Sequence, residues 1–354
     1  MYIWQYLEAG KLDSIAVIGI AKNVGKTVFL NQLIKEGKER LLTLGLMSMG
    51  RDGEGQDSIF GLSKPPINVY SGSYLVSAAR CLEKSSARFK VVENLHIPTP
   101  LGETYLAAVV EDGQVELVGP RSREEIVRAR QALRPYTDLV LIDGALDRKS
   151  SAAPELTDGT FLVIGASAAP SLRAVKEKAA SVINCFRLPA LPQGEIRSLA
   201  GQLIKAGNSG LIIREGGGLK ARALAVESGY QLAGLLDDIW SEEVLAIVVA
   251  GAFTDSLAAR LQNKRSFRAK GKIIVNDPTR IFLSRITYKK LQADGPSIYL
   301  HHPIKLLGLV TNSYSPEGKS FEPGLLAREI KDLAPELPVF DLAANIHLPP
   351  VGRR

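Results

Sequence analysis

Short, unbroken apolar runs recur along this chain, several of them ending in glycine, aspartate or asparagine and leading into a helical pattern. They constrain its fold more than any other feature. The runs cover residues 15–20, 41–49, 139–142, 161–164, 210–213, 244–250, 272–275 and 306–311. A strand buried on both faces is apolar throughout, so such runs alternating with helices predict a mostly parallel sheet with helices on both sides. One helix is expected to open near Gly25 and another to run over 171–186. The stretch 104–118 reads differently. Residues 105–110 and 114–118 flank Glu111-Asp112-Gly113, which predicts a β-hairpin with Asp-Gly in its turn, placed at the sheet edge.

With 354 residues the chain is long enough for two domains or one large elaborated one. The Pro-rich segment 188–194 breaks the helical pattern before it. It suggests a division into a nucleotide-binding region, 1–187, and a C-terminal α/β region, 195–354, able to complete a base site. The fold class expected is therefore α/β: a phosphate-loop core with an edge hairpin and a C-terminal α/β region.

The first apolar run delivers the chain into Gly-Ile-Ala-Lys-Asn-Val-Gly-Lys-Thr at 19–27, and a helical pattern begins at Gly25. Strand, glycine-bearing loop and helix are the context that a phosphate-binding loop requires. Free amides at a helix start, reinforced by the helix dipole, bind phosphate oxygens. The expected nucleotide contacts are Gly19, Lys22, Asn23, Val24, Gly25, Lys26, Thr27 and Val28. Lys26 is placed on the β- and γ-phosphates, and the Thr27 hydroxyl on Mg²⁺. The pattern departs from the full motif at Ile20, where a glycine is expected; Gly19 stands one residue early.

Three further clusters belong with this loop. Asp143 ends the run 139–142, where a carboxylate sits beside the Mg²⁺ of phosphate-loop enzymes, and Asp147 is a weaker candidate. Gly50-Arg51-Asp52-Gly53-Glu54-Gly55-Gln56-Asp57 follows the second run, so Asp52 is a candidate metal ligand or a group acting on attacking water. A solvated turn is the competing reading. Asn312 ends the run 306–311, and its amide offers a donor and an acceptor to a base edge; a turn-initiating asparagine competes. Catalytic candidates are thus Lys26, Asp52 and Asp143, and metal candidates Thr27, Asp52 and Asp143.

Other features read as plain structure. Arg214-Glu215-Gly216-Gly217-Gly218 is a turn rather than a phosphate site, and the basic stretch 260–272 is a solvated helix end. Lysine and arginine exceed aspartate and glutamate by 44 − 37 = 7, but in no dense block, so a nucleic-acid partner is not expected. Cys81 and Cys185 build neither a disulfide framework nor a metal knuckle. No signal peptide or membrane span is read, and a cytoplasmic protein is expected.

The loop at 19–27, the Gly-Arg-Asp-Gly-Glu loop, Lys64-Pro65, and Asp143-Gly144-Ala145-Leu146-Asp147-Arg148 together resemble one family. It is the phosphate-loop small subunit of the lysine 5,6-aminomutase reactivases, accessory proteins of adenosylcobalamin-dependent aminomutases. The likeness covers most of the chain, including 312–318. It implies ATP (GTP is also possible) with Mg²⁺, a partner ATPase subunit, and an aminomutase client whose damaged cobalamin is exchanged. More distantly, the layout is similar to dethiobiotin synthetase and to the molybdopterin-guanine dinucleotide accessory GTPase, which implies an ATP-dependent ligase or kinase as the alternative. Many such relatives carry a signalling lysine where this chain has Ala21; Lys22 is off register. No Asn-Lys-x-Asp guanine signature occurs; Asn276-Asp277-Pro278 only echoes one.

Overall fold

The structure, a computed structural model, describes residues 3–8, 12–49, 66–144, 157–226 and 229–352. The chain forms two compact units. One comprises residues 1–180 and 305–354, the other residues 181–304. This corrects the expected division into 1–187 and 195–354. The break near 188–194 falls close to a real boundary, but the chain's last 50 residues return to the first unit. The reason is the apolar run 306–311, whose strand completes the first sheet.

The first unit is built on a ten-stranded sheet. Its strands are β1 (Ser14–Gly19), β2 (Leu44–Ser48), β4 (Tyr74–Ala78), β5 (Arg88–Thr99), β6 (Gly102–Glu111), β8 (Leu139–Asp143), β9 (Gly159–Gly165), β17 (Leu306–Asn312), β18 (Val339–Asp341) and β19 (Ile346–Leu348). The order is β19-β18-β17-β9-β1-β8-β2-β4-β6-β5. The seven strands from β18 to β4 are mutually parallel, and antiparallel strands close both edges. In the middle, β1 is buried at every residue, which is why its sequence is apolar without alternation.

The helix α2 (Lys26–Glu39) follows β1. Its buried positions Phe29, Leu30, Leu33, Ile34 and Gly37 recur at helical spacing and face the sheet. Phe29 meets Phe161 of β9 edge-on at 5.2 Å, a burial worth about 1.5–3 kcal/mol. Gly37 leaves room for Leu44 and Trp4: a Cβ there would lie 2.6 Å from Leu44 Cδ1 and 3.0 Å from Trp4 Cζ2. The helix ends at Glu39, and just beyond it Leu41 takes a left-handed φ of 59° and is 92% exposed. The second apolar run therefore becomes a strand only from Leu44.

The edge hairpin exists, but not with the expected partners. β6 pairs with β5 on one side and β4 on the other. Residues after Asp112 leave the sheet, and β7 (Gly113–Val115) pairs instead with β3 (Ile67–Val69) as a separate ribbon. Two contacts force the turn-away. Asp112 is held by Lys38 Nζ at 2.7 Å and by the Ser71 amide at 2.7 Å, and Gly113 lies so close to the Ala87 backbone that a Cβ would sit 2.4 Å from its nitrogen. β5 escapes sequence reading because it is largely exposed and its register shifts at three places. Those irregularities and its charged residues blunt an otherwise open edge.

The second unit has a five-stranded sheet of order β11-β10-β12-β14-β16. Its strands are β10 (Ser209–Glu215), β11 (Gly218–Leu224), β12 (Val244–Val249), β14 (Lys272–Val275) and β16 (Ser297–Leu300). The last three run parallel. A short parallel pair, β13 (Phe253–Thr254) and β15 (Ile281–Phe282), forms a separate two-stranded sheet. β10 and β11 form a hairpin in which Glu215 faces Gly218. Its two turn residues, Gly216 and Gly217, both have positive φ (61° and 80°), as this tightest class of hairpin turn demands. The glycine-rich stretch is thus a turn, as expected. The basic stretch is likewise spent locally: Lys264 lies over the Trp240 ring at 5.5 Å and Arg268 pairs with Asp294 at 3.3 Å.

Candidate phosphate and nucleotide site

The loop after β1 lies at the carboxyl end of a parallel sheet, with β9 on one side and β8 on the other. Ile20 donates its amide to Val163 O of β9 at 3.0 Å, which fixes where the loop leaves the sheet. Asn23 takes a left-handed φ of 58° and Gly25 a φ of 100°. Left-handed residues of this kind are the backbone kinks from which anion nests are built. Among the described residues, the amides of Asn23, Val24, Gly25, Thr27 and Val28 have no hydrogen-bond acceptor. The first bond of the helix runs from the Phe29 amide to Gly25 O at 3.0 Å. No acidic side chain stands in the first helical turn to compete for these donors.

Three glycines let the loop fold this tightly. A Cβ on Gly19 would lie 2.5 Å from Val24 Cγ2 and 3.0 Å from both Cγ and Cδ of Lys26. The Lys26 stem therefore arches back over Gly19. This accounts for the displaced motif: the glycine needed under the lysine is Gly19, and Ile20 turns into the core, 4% exposed. A Cβ on Gly25 would lie 2.6 Å from Asn312 Nδ2, and one on Gly165 would lie 2.6 Å from both Cα and O of Val24. Gly165, at the end of β9, carries no motif in sequence; only its contact with Val24 marks it.

The neighbouring residues are distributed on both sides. Asp143 ends β8, half-buried, in register with Val17 of β1 and Ser48 of β2. Its carbonyl accepts from the Met49 amide at 3.1 Å, and the Gly144 amide donates to Val17 O at 3.0 Å. Asn312 ends β17, across β9 from β1, and touches Gly25. Thr27 and Lys26 are half-buried; Lys22, Asn23 and Val28 are exposed. The site thus brings together all the predicted loop residues with Asn312 and, one strand away, Asp143. Asp52, its loop 50–57, Lys64-Pro65 and Asp147 lie outside the described residues.

Sequence reasoning missed the braces. Ser167 Oγ donates to Lys22 O at 3.2 Å, tying the loop after β9 to the phosphate loop. Lys319 Nζ donates to Ala166 O at 3.2 Å and also to Ala169 O, and it lies 5.0 Å over the Phe321 ring. Behind Asn312, Thr311 Oγ1 donates to the fully buried Asp341 at 2.8 Å. The other Asp341 oxygen accepts the amides of Ala343 and Ala344 at 3.0 and 2.7 Å.

Among the described residues no group of three or more His, Cys, Asp or Glu side chains is arranged to hold a metal. A Mg²⁺ bound with phosphates typically draws only one or two protein carboxylates, and Asp143, at the end of the strand beside β1, has the chemistry of such a ligand.

The carboxyl ends of the second unit's parallel strands are arranged otherwise. Asp277, 1% exposed, accepts the Thr279 amide at 2.9 Å, the Thr279 hydroxyl, and Asn276 Nδ2 at 3.1 Å. Burial pushes its carboxyl above the usual range despite those bonds and nearby Arg280. His301 is buried with Nε2 at 3.3 Å from Arg197 O, and burial lowers its pKa. Arg197 in turn donates to Leu191 O and His301 O at 2.7 and 2.9 Å. Asn276-Asp277 is a turn cap here.

No family profile, curated protein or solved structure matches the chain. Among the described residues no helix is long and apolar enough to cross a membrane.

Proposed function

We propose that this protein binds a nucleoside triphosphate, ATP in the first instance, with Mg²⁺ at the loop 19–27 and hydrolyses it. One observation carries the reading: the amides of Asn23, Val24, Gly25, Thr27 and Val28 have no acceptor at the start of α2, and the stem of Lys26 folds over Gly19. Lys26 and the amides hold the phosphates, and Thr27 with Asp143 holds the metal, which supplies charge neutralisation at the transferred phosphoryl group. The resemblance of the sequence motifs to aminomutase reactivases supports the client: an adenosylcobalamin-dependent aminomutase, served together with a partner ATPase subunit. Calorimetric titration with ATP and GTP, with and without Mg²⁺, tests the site. Recovery of an inactivated aminomutase by protein, partner, ATP and fresh cofactor tests the role. Equal recovery with Lys26→Ala sinks it.

One observation favours the ligase or kinase alternative. A cavity of about 330 Å³ is lined by Arg80, Cys81, Lys84, Ser85, Gln114 and Pro66. Asn31 of α2 holds Pro66 O at 3.0 Å and the Asn68 amide at 2.9 Å, which joins this cavity's rim to the helix that carries Lys26. ADP release stimulated by a small anionic substrate, with no protein partner present, would establish that reading instead.

A further inference from the structure

We propose that Tyr314 is the stacking platform for the base, and that the nucleotide is a purine. This rests on the reading of 19–27 as a triphosphate site and extends it to the nucleoside end.

The sheet gives the site a direction. Asp143 stands on the β8 side of the loop, where cation and terminal phosphate belong. On the opposite side, past β9, stands β17, whose Asn312 touches Gly25. The nucleoside therefore leaves the loop toward the segment that follows β17.

That segment is held rigidly. The Ser315 amide donates to Lys319 O at 2.8 Å, Gly318 to Ser315 O at 3.0 Å, and Phe321 to Ser313 O at 3.0 Å. Lys319 clamps it to the β9 loop through the carbonyls of Ala166 and Ala169. Tyr314 is fixed in backbone, with its amide on Asn312 Oδ1 at 3.2 Å and a bridge to Ser320. Its side chain is nevertheless among the large hydrophobics left in water, 53% exposed, and among the described residues no ring or cation packs on it. An aromatic face presented on a braced backbone, two residues from the phosphate loop's neighbour, suits a flat π partner.

Asn312 sharpens the assignment. Its Oδ1 already accepts the Tyr314 amide, so the side chain turns toward a base with its Nδ2 donor and the one remaining lone pair of Oδ1. Every base presents an acceptor to such a donor, so the preference for a purine comes from the larger face it lays on Tyr314. Lys319 is committed to carbonyls, so it braces the subsite and leaves phosphate to Lys26.

Calorimetric titrations of ATP, GTP, UTP and inorganic triphosphate, each with Mg²⁺, test the proposal on the full chain. The wild type binds at least one purine nucleotide about tenfold more tightly than UTP or triphosphate. Tyr314→Ala removes that margin and leaves triphosphate affinity and the melting temperature unchanged, while Tyr314→Phe retains it. Undiminished purine binding by Tyr314→Ala, or an equal loss for triphosphate, overturns the assignment and leaves the phosphate site standing. Absence of binding by wild type to every one of the four overturns the phosphate site as well.

Discussion

At the carboxyl ends of its parallel strands the first unit leaves backbone amides around Gly25 without acceptors, whereas the second unit turns most of its polar side chains on one another and leaves single buried atoms over, Asn276 Oδ1, Arg280 Nε and His301 Nδ1. Both edges begin from the same kind of sequence, an apolar strand ending in small or polar residues. In the first, Gly165 lets the end of β9 lie on the Val24 backbone, Gly19 and Gly25 make room for the side chains of Val24, Lys26 and Asn312, and the amides of Asn23, Val24, Gly25, Thr27 and Val28 are left without an acceptor. In the second, Asp277 closes on Thr279 and Asn276, and Arg197 fills the carbonyls of Leu191 and His301. The lesson is that successive backbone amides left open at one loop make a candidate anion site, whereas scattered side-chain atoms left over in a packed turn do not.

The strongest way to break this contrast is Lys26→Ala. Removing a charged partner of the phosphates is expected to weaken Mg²⁺-nucleotide binding about hundredfold, with little change in melting temperature. Titration calorimetry checks it, and retained affinity would remove the first unit's claim to a site. Next in size, Asp277→Ala should destabilise the second unit by about 1–3 kcal/mol, because the Thr279 amide loses its acceptor inside the protein. Nucleotide affinity should stay unchanged. Hydrogen exchange of β12 and β14 reads the first effect, and exchange as slow as in wild type would show that the cap is dispensable.

Gly25→Ala comes third. It imposes a left-handed φ on a side chain, at roughly 1–2 kcal/mol, and pushes on Asn312. Affinity should fall about tenfold, and a parallel loss of purine selectivity would tie Asn312 to the base. The smallest effect is on pH dependence. Burial raises the Asp277 pKa, so its contribution to stability is full below the unfolded carboxyl value, about 3.9, and is lost as pH rises through the folded value. Asp277→Asn should flatten that part of the denaturation profile. Superimposable slopes for variant and wild type across this range would show that Asp277 does not titrate as argued.

The first sheet's parallel core was legible because burial on both faces leaves runs such as 15–18 and 161–164 wholly apolar. The edge was not. β5 is mostly exposed and bulged, so it carries neither an apolar run nor a clean alternation, and the Asp-Gly at 112–113 signals a turn without naming the strand it turns toward. Around the candidate site, the loop 19–27 and the strand ends Asp143 and Asn312 were legible from composition and spacing. Gly165, Ser167 and Lys319 were not, since each acts through a contact with a residue far away in sequence.

By itself, the sequence determined which segments are buried strands and where a helix opens on Gly-Lys-Thr, because burial and helix initiation are written locally in residue type and period. Tertiary structure decided the rest. It returned 305–354 to the first unit, set Asn312 against Gly25, slid the motif's glycine to position 19 beneath Lys26, and spent Asp277 on its own turn. The physical reason is that a polar group's role depends on who satisfies it, and that partner is chosen by packing across the sheet rather than along the chain.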